Sequence, residues 1–180
     1  MKKENWNESN IPDQSGKIFI VTGPTSGLGK ESVKVLVRKN ATVIMAARNI
    51  KKAESVANEI LEENKNVKID IEELDLSSLE SVKNFSHLII KKYKHLDCLI
   101  NNAGIMACPY SKTKDGFEIQ MGTNHLGHFA LTGQLISLLK KTPNSRVVNV
   151  SSIAHTSGNI DFDDFNWEKR KYRTWSAYSD

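Results

Sequence analysis

The stretch TGPTSGLG, from Thr22 to Gly29, offers the clearest chemistry in the chain. Gly23, Gly27 and Gly29 remove side chains where an apolar run, Ile18 to Val21, hands over to an amphipathic segment. Backbone N–H groups at such a turn, backed by the positive end of a following helix, suit a diphosphate. Three histidines, His125, His128 and His155, invite a metal reading. His125 and His128 lie three apart on a helical pattern, but no third ligand or H-E-x-x-H spacing accompanies them, so no metal site is expected. Cys98 and Cys108 are the only cysteines. They show no CxxC spacing, and a reducing, cytoplasmic setting is the expectation.

The elements that must position the glycine turn alternate in type. The periodicity predicts strands at 17–22, 42–46, 67–73 and 96–101, with helices at 27–39, 50–64 and 78–94 between them. A long helix over about 117–141 ends at Pro143, a fifth strand runs from Arg146 to Val150, and another helix begins near Ser176. Such alternation implies right-handed crossovers and a parallel sheet. In the first helix Leu28, Val33, Leu36 and Val37 are expected on one buried face. Ser77 or Ser78 is expected to cap the helix at 78–94. Residues 1–15 read as a flexible arm in which Trp6 and Ile11 pack on the body, and 16–180 as one domain. The segment IDFDDFNWEKRKYRTW reads as a polar and aromatic excursion.

With 180 residues, 39% hydrophobic and 26% charged, the chain suits one globular domain rather than a disordered one. The net charge of +4 comes from lysines spread along helix surfaces, without an aromatic-interleaved block, so nucleic acid is not an expected partner. No run approaches the roughly 18 apolar residues of a membrane span.

Four further motifs occur in order: NNAG at Asn101 to Gly104, Asn124 within a helix, VNVSS at Val148 to Ser152, and Tyr178. Together with the glycine spacing of three residues and then one, they resemble the short-chain dehydrogenase/reductase family from about Lys17 onward. NNAGIM, NHLGHF, VNVSSIAH and AYSD are similar to its retinol dehydrogenase-like branch. The resemblance implies an α/β fold, a three-layer Rossmann-type doubly wound parallel sheet with strand order 3-2-1-4-5, incomplete at the C-terminal side. It implies an oxidoreductase moving a hydride between NADP(H) and an apolar alcohol, aldehyde or ketone, and a possible homodimer.

Residue by residue, the resemblance assigns the cofactor to Gly23, Thr25, Ser26, Gly27, Leu28 and Gly29 in the turn. It adds Asp75 for the adenine amino group, and Asn102, Ala103 and Gly104 beside the adenosine ribose. In the family an acid at the end of the second strand holds a ribose 2′-hydroxyl, and a base holds a 2′-phosphate. Ala46, Ala47 and Arg48 stand there, so NADP(H) is expected over NAD(H). Asp75 has a competing role as a helix cap. Tyr178 is the expected proton donor, a phenol with an ordinary pKa of about 10 that needs positive charge nearby. Ser152, which precedes it by 26 residues, is expected to hydrogen-bond the substrate oxygen, and Asn124 to hold a water of the proton relay or, alternatively, to kink its helix. Tyr172 is a rival phenol whose setting, KRKYRTW, reads as a charged loop.

One departure bears on activity. The family pairs its tyrosine with a lysine four residues later, whereas this sequence runs only to Asp180. The chain therefore reads as the front part of an enzyme, itself weak or inactive, or alternatively as a non-catalytic relative that binds a nucleotide or a protein partner.

Overall fold

In the computed structural model, which describes residues 6–180, five strands form one parallel sheet: β1 (Ile18–Thr22), β2 (Thr42–Ala47), β3 (Lys68–Glu73), β4 (Cys98–Asn101) and β5 (Arg146–Asn149). Their order is β3-β2-β1-β4-β5. Helices α1 (Gly27–Arg38), α2 (Ile50–Glu63), α3 (Leu79–Lys92) and α4 (Gly127–Lys141) make the crossovers, and α5 (Thr174–Ser179) follows β5. The order reverses between β1 and β4, and a crevice opens there at the carboxyl ends of the strands.

Alternation along the strands explains the three layers. Ile20, Ile44 and Leu99 point to one face, where they meet Val82, Phe85 and Ile89 of α3 and Leu131, Leu135, Leu138 and Leu139 of α4. Phe19, Val21, Val43, Met45 and Cys98 point to the other, against Val33 and Val37 of α1 and Ala53, Val56 and Ile60 of α2. Ile20, Ile44, Leu99, Leu131 and Leu135 have no exposed surface. Each such side chain contributes about 1.5–3 kcal/mol by burial. Leu28 departs from the expected buried face: it is 71% exposed, because it lines the open crevice at the start of α1 instead of the core.

Local chemistry sets the ends of these elements. Asn49 caps α2, its Oδ1 accepting the Lys52 N–H at 3.0 Å. Ser78 caps α3 through the Ser81 N–H at 3.3 Å. Asn40 turns the chain out of α1 at φ 69° and donates to Asp13 at 2.7 Å. The charged residues of β3 blunt one sheet edge. At the other edge all of β5 is exposed.

The arm expected at 1–15 lies partly outside the described residues. In the described part, Arg38 donates from Nε and Nη2 to the Glu8 carboxylate at 2.8 Å each. The Gln14 N–H donates to the Lys39 carbonyl at 2.7 Å. Ile11 is half-buried, but Trp6 is 73% exposed and does not pack on the body as expected. Among the described residues no helix is long and apolar enough to cross a membrane.

Candidate functional site

The turn after β1 is shaped by contacts that only a missing side chain permits. Gly23 has φ 63°, and a Cβ there would sit 2.8 Å from the Ala103 Cα. A Cβ on Gly29 would lie 2.2 Å from the Gly23 carbonyl oxygen and 2.5 Å from Asn102 Nδ2. Gly29 is thus the residue that lets α1 begin directly against the end of β1.

Thr22 closes β1 without exposed surface, and its hydroxyl organises the end of β4. It accepts the N–H groups of Asn102 and Ala103, each at 2.9 Å. The Asn102 amide donates back to the carbonyls of Thr22 at 2.9 Å and Gly23 at 3.3 Å. Asn101 reaches the other way, donating to Asn149 of β5 at 2.8 Å and to Thr132 of α4 at 3.1 Å. The two asparagines therefore tie β4 to both neighbouring strands, while Ala103 and Gly104 present bare backbone.

Between these walls lies a cleft of 630 Å³. This is a size at which small molecules bind, about 300–1,000 Å³. Gly23, Thr25, Ser26 and Leu28 line one end, Asn102, Ala103 and Gly104 the floor, and Arg48 and Asp75 the rim. Gly27 and Gly29 do not line it, the former turning the chain at φ 53° and the latter packing beneath. Asp75 accepts the Ser77 N–H at 3.0 Å and hydroxyl at 2.6 Å, with Lys114 at 3.3 Å from its second oxygen. Burial pushes its carboxyl up, but these hydrogen bonds and the lysine outweigh it and hold the group below the usual carboxylate range. The cap of α3 falls to Ser78, so Asp75 orders the preceding turn instead.

None of the three expected catalytic residues lines this cleft, though a neighbour of two of them does. Thr123 and Ile105 do so near Asn124, and Val150 does so before Ser152. Asn124 lies in a π-helical stretch, Met121–Leu126, leading into α4. Its amide engages the Ile105 backbone on both sides, accepting the N–H at 2.9 Å and donating to the carbonyl at 2.8 Å. Ser152 caps a short 3₁₀ turn, Ile153–Ser157, through the Ala154 N–H at 3.2 Å. Tyr178 in α5 stacks edge-on with Trp175 at 6.2 Å, and its phenol makes no hydrogen bond among the described residues. The end of α5 packs on the Ser152 turn, where a Cβ on Gly158 would overlap the Ser179 carbonyl. No hydrogen bond joins Asn124, Ser152 and Tyr178 to one another among the described residues.

Tyr172 is not in a solvated charged loop. Its hydroxyl donates to Glu118 at 2.7 Å and accepts from Gln120 at 2.8 Å, and both partners are 1% exposed. Burial, with the hydrogen bond to Glu118, pushes its phenol well above the ordinary value, the wrong direction for a proton donor at neutral pH. Arg170 stacks over Trp167 at 3.6 Å and donates to Asp180 at 3.1 Å. Asp164 accepts the backbone N–H groups of Glu168, Lys169 and Arg170. The excursion is therefore a docked lobe, and Glu118, Gln120, Asp164 and Arg170 are structural residues that periodicity alone did not mark. Lys52, also on the cleft, was missed among many surface lysines.

The comparisons with known proteins bear on the family and the fold. Residues 17–163 match the family model for short chain dehydrogenase. The chain is 48% identical over 163 residues to retinol dehydrogenase 13 of Homo sapiens, covering 91% of this chain and 49% of that protein. It is 48% identical over 155 residues to retinol dehydrogenase 12 of Mus musculus, covering 86% and 49%. The chain thus spans about half the length of the curated relatives it matches. Among solved structures, an uncharacterized protein from Mycobacterium paratuberculosis superposes with a TM-score of 0.83 at 44% identity, covering 97% of this chain and 60% of that one. A short chain dehydrogenase from Escherichia coli CFT073, complexed with NADPH, superposes with a TM-score of 0.71 at 29% identity, covering 92% and 65%.

Proposed function

The chain belongs to the short-chain dehydrogenase family, and on that premise we propose that its cleft takes NADP(H) and serves the interconversion of an apolar alcohol with its aldehyde or ketone. The observation that carries the cofactor reading is the rim of the cleft beside β2, where the strand ends in Ala46, Ala47 and Arg48 with no carboxylate. The glycine turn fits the group, since Gly23 and Gly29 let β1, α1 and the end of β4 close together into a backbone wall, an approach that a Cβ at either position would break. The relative complexed with NADPH supports the same choice.

In this reading the turn backbone from Gly23 to Ser26 binds the diphosphate, and Arg48 forks onto the ribose 2′-phosphate. Asp75, held ionised, accepts from the adenine amino group. Ala103 and Gly104 let the backbone lie against the ribose. A bound nicotinamide supplies hydride donor or acceptor chemistry. The residues of the chain supply orientation and a proton: Ser152 hydrogen-bonds the substrate oxygen, and Tyr178 exchanges a proton with it. Asn124 holds the Ile105 backbone and with it the wall of the cleft. The proton step requires positive charge near Tyr178.

Two measurements test the reading. Calorimetric titration of the chain should show NADPH binding more tightly than NADH, with Arg48→Asp removing the difference; equal affinity in the unmodified chain overturns the NADP(H) assignment. In a form extended to the length of the relatives, Tyr178→Phe should lower turnover of an apolar aldehyde by about 10²-fold or more while sparing NADPH binding. NADPH binding without any turnover in the extended form would favour a non-catalytic nucleotide-binding protein.

A further inference from the structure

Arg48 is not alone on the rim. Asn49 follows it, and the cap that Asn49 Oδ1 makes with the Lys52 N–H fixes the first turn of α2. Lys52 leaves that turn on the cleft side and lines the cleft together with Arg48 and Asn49. Its neighbour Lys51 lines a different surface, a shallow groove shared with Glu54, Glu59 and Glu62. Adjacent lysines on one helix thus face opposite charge environments.

Arg48 and Lys52 are the cations that line the cleft, and cations on the neighbouring elements are ion-paired. Lys30 and Lys34 reach Glu59 at 2.7 and 3.0 Å, and Lys114 reaches Asp75 at 3.3 Å. Arg48 and Lys52 form no ion pair among the described residues. Two unpaired cations, one a planar fork and one a compact point charge, stand at the N-terminus of a 14-residue helix and line the same cleft. That combination suits a compact dianion better than a neutral hydroxyl.

Resting on the NADP(H) reading above, we propose that Lys52 is a second determinant of cofactor choice, sharing the ribose 2′-phosphate with Arg48. The phosphate monoester carries about −1.5 to −2 charges at neutral pH, so neither cation alone balances it. Both residues are exposed, so the contribution is screened and declines as ionic strength rises.

Calorimetry on the 180-residue chain separates the possibilities, with NADPH, NADH, adenosine 2′,5′-bisphosphate and ADP as probes. Lys52→Gln should weaken NADPH and adenosine 2′,5′-bisphosphate roughly tenfold, the scale of one charge-assisted contact, and flatten the salt dependence of NADPH binding. NADH and ADP should be unaffected, and Lys51→Gln should change none of the four. Equal weakening of all four probes by Lys52→Gln, or equal effects of Lys51→Gln and Lys52→Gln on NADPH, overturns the assignment. If the unmodified chain prefers NADPH and Lys52→Gln leaves that preference intact, Lys52 is dismissed while the cofactor reading stands. If the unmodified chain shows no preference, both fall together.

Discussion

Thr22 and His128 fix each other's protons across the boundary between sheet and helix. The His128 Nδ1 lies 2.7 Å from the Asn124 carbonyl, which can only accept, so that nitrogen carries the hydrogen. Its Nε2, 2.9 Å from Thr22 Oγ1, is left as the acceptor. Thr22 therefore donates to His128 while accepting from Asn102 and Ala103. A directed chain of hydrogen bonds runs from the cleft floor through a buried hydroxyl and an imidazole into the helix that carries Asn124.

Removing the hydroxyl should be costly. Thr22→Val leaves the Asn102 and Ala103 N–H groups and the His128 nitrogen without their partner. We expect a loss of about 1–3 kcal/mol in urea unfolding. Thr22→Ser should recover most of it, and equal losses in the two variants would show that packing, not the hydroxyl, matters.

The same pair makes stability depend on pH. Burial lowers the His128 pKa, with His125 nearby acting in the same direction and the Asn124 carbonyl opposing both. The unfolded chain, with an ordinary histidine pKa of about 6.5, therefore binds the proton more readily than the folded one. The contribution is fully present above about pH 6.5 and is lost as pH falls from there through the folded value. The urea midpoint of the unmodified protein should accordingly drop further between pH 7 and 5 than that of His128→Gln. Parallel profiles would mean that the folded imidazole titrates normally.

Two glycines of the turn should respond differently to alanine. At Gly27 nothing stands within 4 Å of a Cβ, and only the positive φ resists, a strain of about 1–2 kcal/mol. At Gly29 the methyl would enter the Gly23 carbonyl and the Asn102 amide. Thermal unfolding should therefore show Gly29→Ala as the more damaging change, with NADPH binding lost as the turn shifts. A Gly29→Ala variant as stable as Gly27→Ala would contradict the close approach of α1 to β1.

The open edge at β5 should govern behaviour in solution. Val147, Val148 and Val150 are 36%, 43% and 47% exposed beside a strand edge that no other strand among the described residues covers. Such an edge is a template for pairing with another chain. The 180-residue chain should self-associate in sedimentation experiments, and Val148→Lys should shift it toward monomer. A monomeric unmodified chain would remove the case.

The strand order and layers were legible because Ile18 to Val21 and its counterparts form short apolar runs separated by helical periodicity, and few topologies satisfy right-handed crossovers. The turn was legible because glycine has few other reasons to recur there. The Glu118, Gln120 and Tyr172 cluster was not. Glu118 and Gln120 lie more than 50 positions from Tyr172, so all three look solvated until the chain brings them together, and their burial depends on mutual hydrogen bonding. Leu28 misled in the opposite sense, since its helical phase matched the core but its side chain lines the open cleft. Lys52 carried no local signal that set it apart from Lys51; only the cap at Asn49 and the position of the cleft distinguish them.

The π-helical stretch Met121–Leu126 joins the bridge at Glu118 and one helical step after it to α4. An α-helix turns by about 100° per residue, so the extra residue in the wide turn rotates everything downstream relative to everything upstream. Ahead of it, Glu118 and Gln120 address Tyr172; within it, Asn124 grips Ile105; behind it, Leu131, Leu135 and Leu138 meet the sheet. The wide turn works as a phase coupling: the packing of the leucines fixes the rotation of the helix, and that rotation dictates where the Ile105 wall and the Tyr172 lobe stand around the cleft.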